Sequence, residues 1–182
     1  MKTLSSDKRV SRLAADAVLL GAALLFTFVE AILPVGLVPL PGFKLGLANL
    51  AVTAAAYRCS IGDAATVSAA RILITFLLFG NPVSLLFSLA GGLLVLLVLS
   101  VLTRPTVAPR FSFWGVSLCS AAAHNLGQLA AATALFGSAV LSYAPVLAAA
   151  ALLCGTLTGW IMNLLPESLW RINGLTSERS TL

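Results

Sequence analysis

Apolar residues run along this chain in long blocks, and clusters of polar residues, proline and glycine interrupt them at fairly regular intervals. A membrane-spanning α-helix takes ~20 consecutive apolar residues. The pattern predicts six such segments: Ala14–Leu33, Leu45–Tyr57, Asp63–Phe79, Val83–Leu102, Trp114–Leu135 and Val140–Leu165. The second and third are short, at roughly 13 and 17 residues. Breakers agree with these limits. Pro34, Pro39 and Pro41 follow the first segment, Gly62 the second, and Gly80-Asn81-Pro82 the third. Arg104-Pro105 through Pro109-Arg110 divide the fourth from the fifth, and Gly137 to Pro145 cover the next turn. No segment alternates apolar and polar residues as a membrane barrel strand does. The expected fold is an all-α, polytopic six-helix membrane bundle, with an N-terminal tail over residues 1–13, one transmembrane domain over 14–165 and a C-terminal tail over 166–182.

Composition removes the competing classes. The chain is 59% apolar and 9% charged, against ~25% charged residues in a typical globular protein. So few charges do not build a water-facing surface, and disorder requires the opposite balance of low hydrophobicity and high charge. The run Ala14–Val29 has basic flanks like a secretory signal, but Glu30 and a proline-rich stretch follow it where a small-residue cleavage site would be needed, so the first span is expected to be retained.

The distribution of basic residues predicts orientation. Lys2, Lys8, Arg9 and Arg12 precede the first span, Arg58 separates the second from the third, Arg104 and Arg110 separate the fourth from the fifth, and Arg171 and Arg179 follow the sixth. Positive loops face the cytoplasm, which places both termini inside an inner (cell) membrane. The net charge of +5 is thereby topology and calls for no nucleic acid. Cys59, Cys119 and Cys154 have no metal-type spacing, so neither a disulfide nor a bound metal is expected. The single histidine excludes a two-imidazole haem site and a zinc cluster.

Helices in lipid associate at small residues, which let backbones approach closely. The sixth span carries Ala151, Gly155 and Gly159 at four-residue intervals, and the fourth carries Ser84, Ser88 and Gly92. In the first span Ala17 and Gly21 form one stripe beside Ala14, Val18 and Ala22. These stripes either hold the bundle together or, in the first span, dock a partner.

Against this background a few polar residues stand out, because an ionisable side chain deep in a bilayer costs at least ~2.5–3.5 kcal/mol and faces a bundle interior or a cavity. Glu30 lies late in the first span, Lys44 and Asn49 flank the start of the second, and Arg71 lies near the middle of the third. His124, Asn125 and Gln128 lie in the fifth, where Ser120, His124 and Gln128 share one helix face. By the predicted topology Glu30, Lys44 and Asn49 occupy the outer half of the membrane, Arg71 is central and His124 to Gln128 reach mid-depth or slightly beyond. They either form a buried ion pair of Glu30 with Arg71 or Lys44, or line an outward-facing cavity. The excess of one positive charge suits an anionic or zwitterionic ligand. His124 is open to three readings: a helix-contact residue, a proton carrier or a ligand contact. The Pro34–Gly42 segment is either a plain connector or a lid.

Glu30 followed by prolines, Pro41-Gly42-Phe43-Lys44-Leu45-Gly46-Leu47-Ala48-Asn49, Arg71 and His124-Asn125-Leu126-Gly127-Gln128 together resemble the Gx transporter family, also catalogued as heptaprenyl diphosphate synthase component I. The resemblance runs from about Ala14 to Leu165. That family is similar in turn to the substrate-binding S components of energy-coupling-factor transporters, six-helix proteins with cytoplasmic termini. By this resemblance Glu30, Lys44, Asn49, Arg71, His124, Asn125 and Gln128 line or brace a substrate pocket. Pro34–Gly42 is its lid, and Ala14, Ala17, Val18, Gly21 and Ala22 dock a transmembrane coupling subunit. Ligand signatures for thiamine, biotin or riboflavin are absent.

Catalysis is not expected. Chain-elongating prenyl synthases hold magnesium diphosphate through paired aspartate-rich motifs, whereas Asp7, Asp16 and Asp63 are scattered. No Gly-Lys-Ser/Thr phosphate loop occurs, so ATP-driven uptake requires separate ATPases. Three classes follow: a substrate-capture subunit of a transporter, a non-catalytic accessory subunit of isoprenoid metabolism, and a proton-coupled carrier that uses Glu30 and His124.

Overall fold

A computed structural model of the chain describes residues 2–32, 44, 46–79 and 81–164. The expected lid at Pro34–Gly42 and the C-terminal tail lie outside the described residues. Six α-helices and no strand are found among the described residues: α1 (Lys2–Ile32), α2 (Asn49–Arg58), α3 (Ile61–Phe79), α4 (Pro82–Leu102), α5 (Phe113–Phe136) and α6 (Ala144–Leu164). Short 3-10 segments, Ala108–Arg110 and Ser138–Tyr143, lead into α5 and α6.

Local chemistry sets the helix ends. Asn81 stands just before Pro82, and its side chain accepts the Val83 and Ser84 amides at 3.1 Å, an N-cap joined to a proline that suits the first helical turn. Ser112 caps α5 by accepting the Gly115 amide at 3.2 Å. α1 begins at Lys2, so the polar N-terminal segment is helical and continuous with the first apolar stretch.

Among the described residues four helical segments are long and apolar enough to cross a membrane: Val10–Ile32, Ile61–Phe79, Pro82–Leu102 and Ser138–Leu164. The outward faces of these helices carry Val18, Leu25, Leu77, Leu93 and Leu153, all largely exposed. In water such a continuous apolar surface would aggregate; in a bilayer it is the surface that meets lipid. α5 has 24 residues, enough length to cross, but its inward face is built from Ser117, Ser120, His124, Asn125 and Gln128.

The segment expected as a second span behaves differently. α2 has only 10 residues, or ~15 Å of helix, half the hydrocarbon thickness. Every residue from Asn49 to Tyr57 is buried, and α2 touches all five other helices. Its apolar composition therefore serves a protein interior rather than a lipid face, and composition alone does not separate the two.

The small-residue stripes divide by function. On α6, Ala151, Gly155 and Gly159 are all buried against α5, with Leu118 and Trp114 as the contacts at the two glycines. On α4, Gly92 faces Ile72 and Ser68 of α3. On α1 the inward face is Ala23, Thr27 and Glu30. Ala14, Ala17, Val18 and Gly21 lie exposed and Ala22 half-buried, so this stripe packs little within the chain.

Candidate ligand site in one half of the bundle

Glu30 projects inward from the last turns of α1, and one of its carboxylate oxygens accepts the Leu47 amide, which ties the end of α1 to the entry of α2. That entry is a tight turn: Gly46 holds φ +93°, and its carbonyl accepts the Asn49 amide at 3.0 Å. Any side chain at Gly46 would be strained in this conformation. A Cβ there would also meet the His124 ring at 3.0 Å and the Asn49 amide at 3.1 Å.

Gln128 grips the same segment from α5. Its side-chain oxygen accepts the Lys44 amide at 3.1 Å, and its nitrogen donates to the Lys44 carbonyl at 3.0 Å. One primary amide thus pairs with a backbone unit as a strand neighbour would. The Lys44 ammonium reaches Ser88 of α4 at 3.3 Å.

His124 fits between two glycines. The Gly46 turn lies on one side, and a Cβ at Gly91 of α4 would approach Nδ1 to 2.5 Å on the other. One turn along, Gly127 lies so close to α4 that a Cβ would stand 2.5 Å from the Ala90 carbonyl oxygen. The α4–α5 seam is therefore glycine on both helices, and this closeness brings His124 to the centre.

Glu30, Asn49, Arg71, Ser120, His124 and Gln128 are all nearly fully buried, Arg71 to 2% exposure. Glu30, Lys44 and Arg71 lie within one another's electrostatic field, and His124 lies in the field of both cations. The ion pair, one of the two readings of the sequence, is not made: among the described residues the only one is Arg12 with Asp63, at 2.8 Å. Among the same residues, Glu30 Oε2, Arg71 Nε and Nη2, both polar atoms of Asn49 and the Ser120 hydroxyl have no hydrogen-bond partner. Native interiors pair most buried polar groups, so this concentration of unpaired ones is unusual for helix packing alone.

Of the seven residues singled out in the sequence, six converge here. Asn125 does not, because it follows His124 by one residue and so points about 100° round the helix. Its amide nitrogen donates to the Leu147 carbonyl of α6 at 2.9 Å, and it lines a groove of about 190 Å³ between α5 and α6 with Leu126, Leu129 and Ala148. Gly46, Gly91 and Gly127 were not distinguishable as site residues in the sequence, since a glycine's role depends on what faces it.

The opposite end of the bundle holds a second polar group. Asp16, Cys59 and Asp63 bring ligand-type atoms within 4.8 Å of one another, although their sequence spacing carries no metal signature. Asp63 is bonded to Arg12 and, at 2.8 Å, to the Ser60 hydroxyl. Burial and the two carboxylates push the Cys59 thiol above its ordinary pKa.

The family model for heptaprenyl diphosphate synthase component I matches residues 19–165. No curated protein and no solved structure matches the chain.

Proposed function

The chain belongs to the heptaprenyl diphosphate synthase component I family, and from that premise we propose that this membrane protein captures a small anionic or zwitterionic ligand for a transporter. The supporting observation is the convergence of buried Glu30, Asn49, Arg71 and His124 from four helices on one half of the bundle, with Glu30 Oε2, both Asn49 amide atoms and two Arg71 nitrogens left unpaired. A buried charge without a partner is costly enough that such groups are normally paired or coordinated. A ligand that supplies the partners accounts for why the chain keeps them. The one-sided basic loops support an outward-facing site with both termini cytoplasmic.

The exposed α1 stripe is the docking face of this reading, for a transmembrane coupling subunit driven by separate ATPases. Gly21 has nothing within 4 Å of a would-be Cβ. Gly21→Leu is therefore expected to abolish co-purification with the coupling subunit while leaving the melting temperature of the isolated protein nearly unchanged. The capture reading itself is tested by ligand retention on the purified protein. Small molecules released on denaturation are identified by mass spectrometry, and wild type is compared with Arg71→Ala and His124→Ala. Full affinity in both variants would show that the site is elsewhere.

The family description favours a second reading, a non-catalytic membrane subunit in isoprenoid metabolism. It predicts co-purification with a soluble prenyl synthase and no coupling ATPase.

A further inference from the structure

The unpaired atoms of the site are specific enough to describe what would pair with them. Arg71 leaves Nε and Nη2 without partners. These two nitrogens lie along one edge of the guanidinium plane, and their hydrogens diverge little. Such an edge matches two oxygens of a single oxyanion, in the two-point geometry that makes arginine a carboxylate and phosphate receptor. The opposing Glu30 has one oxygen committed to the Leu47 amide and the other, Oε2, unpaired. Glu30 and Arg71 feel each other's charge yet form no ion pair, so opposite charges are held apart inside the protein. A molecule bridging them must present acceptors to Arg71 and a donor to Glu30.

Charge selects among the oxyanions. Lys44 and Arg71 contribute two formal positive charges and Glu30 one negative, a net of +1. A monoanion neutralises the site, whereas a phosphate monoester, at a charge of ≈ −1.5 to −2, leaves it negative in surroundings where uncompensated charge is penalised heavily. We propose that the ligand is a monocarboxylate whose carboxylate is held edge-on by Nε and Nη2 of Arg71, and which carries a neutral hydroxyl or amide donor for Glu30 Oε2. The Asn49 amide and the Ser120 hydroxyl, both buried and unpaired, supply further donors and acceptors for a polar ligand of this kind.

This inference rests on the capture reading, and the experiment separates the two. Purified protein in lipid nanodiscs is titrated with three probe sets of matched size. They are monocarboxylates bearing a hydroxyl or amide, their analogues lacking that donor, and phosphate monoesters. Binding is read by calorimetry and thermal shift. Donor-bearing carboxylates are expected to bind best. Arg71→Lys, which keeps the charge but loses the two-point edge, is expected to weaken them about ten- to a hundredfold. Glu30→Gln is expected to weaken donor-bearing carboxylates while leaving the donor-free analogues unchanged. If Arg71→Lys does not fold, the ranking of probe sets on wild type and the Glu30→Gln selectivity decide the matter. Preference for phosphate monoesters, or binding indifferent to the ligand's donor, overturns the carboxylate assignment and leaves capture standing. If none of the probe sets binds and nothing from a whole-cell metabolite extract binds either, both are overturned.

Discussion

The α4–α5 seam gives the sharpest quantitative test of the architecture. A methyl group added at Gly127 would stand 2.5 Å from the Ala90 carbonyl oxygen and 2.7 Å from both the Ala90 carbonyl carbon and Gly91 Cα. These obstacles are backbone, so no rotamer change relieves them. Reaching ordinary contact at 3.4 Å requires α4 and α5 to separate locally by about 0.9 Å. Forcing extra atoms into a packed interface typically costs ~1–3 kcal/mol. Alanine also gains up to ~1 kcal/mol over glycine within a helix, so the single variant understates the clash. Gly21→Ala is the matched control, because it takes the same gain in α1 with nothing within 4 Å. The difference between the two variants therefore isolates the packing cost. At 2–4 °C per kcal/mol for a chain of this size, Gly127→Ala is expected to melt roughly 2–12 °C below Gly21→Ala in the same detergent. Because His124 lies against Gly91 on the same seam, Gly127→Ala should also weaken ligand retention. Equal melting temperatures would refute the claim that glycine sets the α4–α5 distance.

Three further outcomes follow from the described contacts. Gln128→Leu removes both bonds to the Lys44 backbone, worth ~1–3 kcal/mol together. Hydrogen exchange at the Lys44 amide should accelerate about ten- to a hundredfold, whereas Gln128→Glu keeps the acceptor and most of the protection. Cys59 should react with a small maleimide more slowly than an exposed thiol and only at higher pH, because a raised pKa lowers the thiolate fraction at any given pH. Asp63→Asn removes one of the carboxylates responsible and should speed the reaction; no change would mean that burial and Asp16 control it without Asp63. The Arg12–Asp63 pair is half-exposed on the arginine side, and such pairs contribute ~0–1 kcal/mol. Arg12→Ala should therefore lower the melting temperature by less than ~4 °C.

The polar residues of the site were legible in the sequence for one physical reason. Hydrocarbon penalises an unpaired charge so strongly that Glu30, Arg71 and His124 are conspicuous in segments otherwise made of leucine, alanine and valine. Asn125 drew attention on the same grounds, but its neighbour relation to His124 directs it to α6, where it bonds the Leu147 carbonyl. The cluster of Asp16, Cys59 and Asp63 escaped notice because Asp16 is more than forty residues from the other two and meets them only when α1 packs on α3.

By itself, the sequence determined the solvent. Blocks of apolar residues at membrane length, with charge confined to their ends and a few interior positions, admit only a helical bundle in lipid, since lipid offers backbone groups no partners outside the helix. Only tertiary structure decided which apolar segment meets lipid and which meets protein. α2 reads as a short span, but it is enclosed by the other five helices, because lipid and protein interior are equally apolar to a one-dimensional pattern. Tertiary structure also decided that Glu30 and Arg71 are not joined directly. A buried pair and a ligand-bridged pair require the same residue types at the same depth, and only the distance between helices separates them.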